Sequence, residues 1–517
     1  MEHIADSTKS GCILSRLPVR QIERARLCGR NMRHCANDAV LQMAKRLHLI
    51  RGRTETACDG DPNSIRSLLA AMRALSRRRS GLEEENMLVA ATERATVLVK
   101  DSEILQFGGR VFKNAYEEKR SLPLKCITYR QIPAYAHVVQ VAAFDQNVWG
   151  LCANGNLLCL DGGVDGENWC LCSLDILKLP GGQQRIVQIP SCTGGHYGIV
   201  CASGDVYMFG SGKFGRLGNG TEGVGTSTGC KLPIPDKAVE IRLGVYHTVV
   251  LTETGDVYTF GRGFNGQLGL EGSECEDRLY GPAEAFRDQS VPCRVQRVFS
   301  EHGVGTPLGT TAGVSLTVPV RAVCIAAADH NTVIVTGDGL VYGTGYGGMG
   351  RRIPAGVDSS HVDASNSKES NYRFQRIKGE LHDKRIVTVS GGSAHFVAMD
   401  SEGLVYTWGE GVNGQLGHGT CVSVMQPKTV MSLAGEHAVD VQAGPHYTVV
   451  LTERTVCETQ QSPSGHDMSP PLCGNGDRRG RSMVDRAMWT FGLGVGGRLG
   501  HGFVKDEMWP RQVPFYV

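Results

Sequence analysis

The chain has 517 residues, 67 of them glycine, and a formal net charge of only +2. A glycine share nearly twice the usual ~7% without a Gly-X-Y period excludes collagen, and 41% hydrophobic residues exclude a wholly disordered chain. No apolar run approaches the ~18 residues of a membrane-spanning helix, so a turn-rich, core-forming protein with no membrane span is expected.

The near-neutral balance is uneven along the chain. Residues 1–80 hold 16 Lys+Arg against 7 Asp+Glu, which leaves 38 against 45 for residues 81–517. A head at +9 is thus joined to a body at −7, and such a head favours nucleic acid, acidic lipid or an acidic protein patch. The opening MEHIADSTKSG reads as neither a secretory signal nor a transit peptide, which points to cytoplasm or nucleus.

Residues 1–85 read as a small α-helical extension. Asn37 is placed to cap a helix over 37–51 with Val40, Met43, Ala44 and Leu47 on one face. Asp61-Pro62 opens a second, over 62–79, with Ile65, Leu68, Leu69 and Met72 at the same spacing. Their apolar stripe is buried either on the rest of the chain or on a partner. Arg77-Arg78-Arg79, followed by Glu83-Glu84-Glu85, is either a solvated linker or the best electrostatic partner contact in the chain.

From residue 86 to 517 the chain repeats itself. HTVVLTETGDVYTFGRGFNGQLG from His247 recurs as HFVAMDSEGLVYTWGEGVNGQLG from His395 and HYGIVCASGDVYMFGSGKFGRLG from His196. Looser copies start at Arg94, Asn147, Asn331 and Tyr447, giving a period of about 50 residues. Each unit reads as four short strands; in the fourth these are Lys231–Ile234, Ala238–Arg242, Thr248–Thr252 and Val257–Phe260. Antiparallel four-stranded units without intervening helices make an all-β chain built of propeller-like blades.

In this phase the first copy, Asn86 to Gly109, lacks its first strand, whereas the chain ends with an unpaired Trp509–Val517. A C-terminal strand completing the first blade is expected to seal the ring. Four insertions interrupt the repeat. Those at 271–291 and 346–371 read as lying between blades, and those at 301–317 and 454–487 as within blades. Each is either a solvated loop or a place where function departs from the repeat.

Motif residues recur once per blade, so His196, His247 and His395 would be spread around a ring and read as structural rather than as metal ligands or catalysts. Gly204, Gly255 and Gly403 read as turn positions, Leu217, Leu268, Leu416 and Leu499 as core plugs at blade junctions, and Trp408 and Trp489 as packing between blades. The 18 cysteines contain no CxxC pair and read as reduced, largely buried thiols. DGGVDGEN at 161–168 lacks the third-position and twelfth-position ligands of a calcium loop. No P-loop or HExxH motif appears, and no bond-making reaction, metal or cofactor is expected.

The order Gly, His-Thr, apolar pair, Thr, turn Gly, Val-Tyr, Trp/Phe-Gly, Gly-Gln-Leu-Gly resembles the regulator of chromosome condensation repeat, over about 430 residues in seven copies. The resemblance implies a seven-bladed β-propeller. The first two copies depart from it in lacking GQLG, the fifth keeps only Gly348-Met349-Gly350, and in the seventh His446-Tyr447 reverses the Tyr246-His247 order. The resemblance also implies guanine-nucleotide exchange on a Ran-type small GTPase, with chromatin or nucleic-acid contact through residues 1–80. The residues themselves favour a non-catalytic scaffold that holds protein partners within a larger assembly. Such folds host many functions, and the match covers scaffold positions rather than an exchange surface.

Overall fold

The computed structural model describes residues 88–92, 95–100, 103–108, 127–131, 138–144, 147–160, 169–172, 184–191, 194–270, 288–301, 315–346, 371–457 and 482–514. The helical extension expected at 1–85, the calcium-like stretch at 161–168 and most of each insertion lie outside them.

Blade four shows how the sequence makes its sheet. The first strand, Ala238–Leu243, is only partly buried, and the second and third, His247–Thr252 and Val257–Gly261, are buried throughout. The β-branched Thr248, Val249 and Val250 suit a pleated surface packed on both sides. The fourth strand, Gln289–Val295, is mostly half-buried and carries Pro292, which an outer edge tolerates because its missing N–H costs no ladder bond. Gly255 turns the second strand into the third at φ +84, a conformation costly for any residue with a Cβ. Gly204 and Gly403 hold the same turn in blades three and six, at φ +87 and +84.

Seven sheets, antiparallel but for one parallel pairing of Arg297–Glu301 with Asn371–Arg376, follow one another in the chain and form a seven-bladed β-propeller. They span residues 88–131, 138–172, 186–231, 238–295, 297–376, 386–429 and 438–512. First strands face a central channel, lined by Val89, Val141, Arg242, Val389 and Val441 among others.

The sheets correct the phase expected from the repeat. Thr226–Lys231, which overlaps the strand assigned to the start of unit four, pairs with Val206–Gly210 and is the fourth strand of blade three. Blade one therefore has its own first strand, Leu88–Ala91, paired with Ala95–Lys100. The C-terminal strand, Glu507–Gln512, pairs with Ser482–Gly492 as the fourth strand of blade seven and does not complete blade one. A four-stranded repeat has no unique first strand in its period; sheets break where the chain crosses from one outer strand to the next inner one.

Closure comes from side chains instead. Tyr447, Val449, Leu499 and Val513 of blade seven share one core with Val89, Leu98 and Phe107 of blade one.

The insertions move with the phase. Those at 271–291 and 346–371 fall between the third and fourth strands of blades four and five, not between blades. That at 301–317 falls between blades, where Arg297–Glu301 and Ser315–Pro319 form a hairpin that widens blade five to six strands. That at 454–487 separates the second and third strands of blade seven, each extended to 11 residues. Antiparallel alternation places the first pair on the face of the 1–2 and 3–4 loops and the second pair on the opposite face.

Blades approach each other closely at their loops. A Cβ on Gly244 would lie 2.5 Å from the carbonyl oxygen of Ala328 in the next blade and 2.4 Å from the His247 ring, so only glycine lets this loop and its neighbour meet.

Candidate partner-binding face

The repeated histidines join neighbouring blades. His196 Nε2 lies 3.1 Å from Thr248 Oγ1, His247 Nε2 2.8 Å from Thr332 Oγ1, and His395 Nε2 3.0 Å from Thr448 Oγ1. Each threonine hydroxyl donates to a loop carbonyl of the preceding blade, of Arg216, Gln267 and Gln415, at 2.9, 2.6 and 2.8 Å. It can then only accept from the imidazole, which assigns the proton to Nε2. Burial holds all three imidazoles neutral, with pKa values lowered to about 3. They stand a blade or more apart, and among the described residues no group of three His, Cys, Asp or Glu is placed to hold a metal.

Where the histidine is replaced, its partner changes too. Blade five has Asn331 in the position, and blade six answers with Phe396 in place of threonine. Blade seven has Tyr447, and its longer side chain reaches blade one: the hydroxyl donates to Ala95 O at 2.8 Å and lies 3.1 Å from Thr96 Oγ1. Thr96 Oγ1 donates to Arg498 O at 2.8 Å. The reversed His446-Tyr447 order is thus the ring's closing contact.

The remaining motif residues are placed as follows. Leu217, Leu268, Leu416 and Leu499 are all buried; Leu217 shares a core with Phe260 of the next blade, and Leu499 with Phe107. Trp408 is buried against Phe396, with ring centroids 5.5 Å apart, in a core spanning blades five to seven. Trp489 is half-buried and donates from Nε1 to Thr452 at 3.1 Å. Cys152, Cys201 and Cys324 are buried free thiols. Arg77, Arg78 and Arg79 lie outside the described residues. No described helix is long and apolar enough to cross a membrane.

The arrangement that can meet a partner lies elsewhere, on the face of the 1–2 and 3–4 loops. Six of the ten large hydrophobic side chains exposed among the described residues sit in 3–4 loops on this face: Val224, Phe264, Tyr346, Val412, Val422 and Val495. Phe264 is 61% exposed and Tyr346 50%, which a folded chain does not need for its own core.

At blades three to five these side chains surround a cation. The Arg262 guanidinium stands 4.9 Å from the Phe214 ring centroid, 5.3 Å from that of Tyr246 and 5.6 Å from that of Phe264. Tyr246 meets Phe214 edge-on and stacks on His330 at 5.6 Å. Asn265 Nδ2 donates to His330 Nδ1 at 3.1 Å, and burial, with Arg262 adding to it, lowers the His330 pKa. Phe214 has φ 62, the only positive value at a non-glycine position among the described residues. That left-handed backbone costs roughly 1–2 kcal/mol, and it sets the Phe214 ring against Tyr246.

None of these six residues stands out in the sequence, because they come from four loops of three blades. The one available signal was repetition: Phe264, Val412 and Val495 occupy the same place, four residues before the loop leucine, where a solvated loop would carry polar side chains.

The regulator of chromosome condensation (RCC1) repeat matches residues 203–251, 254–304 and 402–451, and a second description of that repeat matches 238–267 and 386–415. The human E3 ubiquitin-protein ligase HERC2 is 30% identical over 276 residues, which cover 52% of this chain and 5% of that protein. The Caenorhabditis elegans homologue of the X-linked retinitis pigmentosa GTPase regulator is 26% identical over 296 residues, covering 51% of this chain and 19% of that protein. The matched region therefore spans a small part of each of these two relatives. Yeast RCC1 (Prp20), solved bound to Kap60, is similar at a TM-score of 0.49 with 20% identity, covering 69% of this chain and 78% of that one.

Proposed function

We propose that this chain, which carries regulator of chromosome condensation repeats, is a non-catalytic platform that binds protein partners on its 1–2 and 3–4 loop face. The observation that carries the reading is the concentration there of exposed apolar side chains around Arg262, the aromatic-plus-arginine composition of interface hot spots. The rest of the motif chemistry is spent on joining blades.

A charge placed in the patch tests this. Phe264→Asp is expected to release proteins that co-purify with the native chain, whereas Met431→Asp, equally exposed outside these loops, retains them. Equal retention by both variants would remove the reading.

Exchange on a Ran-type small GTPase is the second reading, favoured by the relative named as a GTPase regulator. Exchange needs no bond-making residue, since inserted loops suffice to disturb the nucleotide's phosphate and Mg²⁺ contacts. The full chain would then accelerate release of labelled GDP from Ran by several orders of magnitude. Release at the intrinsic rate rejects this reading and leaves the platform intact.

A further inference from the structure

We propose that Arg262 is an anchor for an aspartate or glutamate side chain of a partner protein, received between aromatic rings on the 1–2 and 3–4 loop face. The inference rests on the platform reading and gives its partner a chemistry.

Arg262 contrasts with several other described arginines. Arg294 and Arg321 share the Asp256 carboxylate at 2.8 and 2.6 Å, and Arg486 pairs with Glu453 at 3.0 Å. Arg216 and Arg498 spend their guanidinium donors on backbone carbonyls. Arg262 has no carboxylate within 4.0 Å among the described residues; its backbone N–H donates to Tyr246 O at 2.9 Å, and its guanidinium faces rings. The nearby Asp288 carboxylate accepts instead from Gly263 N at 3.0 Å.

Three rings around a guanidinium hold its planar fork in place and thin its hydration, and among the described residues its N–H donors meet no acceptor. An incoming carboxylate would form two parallel charge-assisted hydrogen bonds in a site already partly dry, where such bonds count for most. Phe264 flanks the position, and Tyr346, edge-on to His330 at 6.5 Å, extends the apolar surface that would cover side chains beside the acid. The strained Phe214 keeps this geometry formed before binding, so little ordering remains to be done on encounter.

Charge favours a protein over a nucleic acid or lipid surface. A phosphate chain needs a stripe of cations. Among the described residues of these loops only Lys213 adds an exposed cation to Arg262, with Glu222 and Asp288 beside them, and residues 81–517 carry net −7.

The test uses the full chain against four immobilised probes: peptides with Asp or Glu beside Trp, Tyr, Phe or Leu; the same peptides with Asn or Gln; single-stranded DNA; and phosphatidylserine vesicles. The acidic peptides are expected to bind about 30-fold or more tighter than their amide counterparts. Arg262→Gln should abolish that preference, Arg262→Lys should keep a fraction of it, and Lys213→Gln should leave it unchanged. Equal binding of acid and amide peptides, undiminished binding by Arg262→Gln, or preferential binding of DNA or vesicles overturns the proposal. The acid-to-amide comparison leaves the protein untouched, so a folding defect cannot mimic it. If Phe264→Asp releases bound peptides regardless of their acids, the carboxylate anchor fails while the platform stands; if it releases none, the platform fails too.

Discussion

Tyr447→Phe is expected to destabilise the propeller by about 2–3 kcal/mol and to loosen blade one before any other. The hydroxyl is fully buried, donates to Ala95 O, and accepts from Thr92 N–H at 3.0 Å. Burial raises its pKa to about 12, so it remains a donor at every ordinary pH. Phenylalanine keeps the ring and leaves almost no cavity, so the loss is that of the stranded polar groups, at ~1–3 kcal/mol each. Other blade junctions are also crossed by the chain, whereas among the described residues blades seven and one meet through side chains and loops. Hydrogen exchange should therefore quicken first in Ala95–Lys100 and its neighbours, and the unfolding midpoint should fall. A variant within about 0.5 kcal/mol of the parent, or one that opens first at another blade, would show that this hydroxyl does not hold the seam.

The Tyr447 contact shows where sequence reading stopped. His-Thr, the turn glycine and GQLG recur because each blade solves the same local problem, so the four-stranded repeat and its seven copies could be read from periodicity. The reversal at His446-Tyr447 was visible as a departure, but its meaning lies in Thr96, 351 residues away, which only ring closure brings near.

Strand phase was hidden for a related reason. Lys231 belongs to a proline-flanked segment that reads equally well as the end of one unit or the start of the next. Only the ladder from Tyr207 to Lys231 decides between them. The misplaced insertions and the supposed closing strand both follow from that one-strand shift. The face around Arg262 was less legible still: Phe214, Tyr246 and His330 are ordinary loop residues until three blades are set side by side.

Acid should weaken the same blade junctions, costing on the order of 5 kcal/mol between pH 7.5 and pH 5. His196, His247 and His395 titrate at about 3 in the folded chain, chiefly because they are buried. Arg216 adds to the effect at His196, His330 at His247 and His446 at His395. In the unfolded chain they titrate near ~6.5. The folded value is the lower one, so as pH falls through 6.5 the unfolded chain takes up protons that the folded chain refuses. The stability these histidines contribute is therefore complete above about pH 7 and drains away down to about pH 3, by up to ~1.4 kcal/mol per unit for each. Protonation would fall on Nδ1, which has no hydrogen-bond partner in His247 or His395. His418, lowered to about 4, acts in the same sense. Asp329, raised to about 6 by burial, and Asp400, also raised by burial, act in the opposite sense, two carboxyls against several imidazoles. The unfolding midpoint should thus drop steeply below pH 6.5, and His395→Gln should lower stability at pH 7.5 while flattening the dependence by roughly a third. A midpoint that stays level from pH 7.5 to 5, or a slope the variant leaves intact, would mean that the buried histidines do not carry the acid sensitivity of the ring.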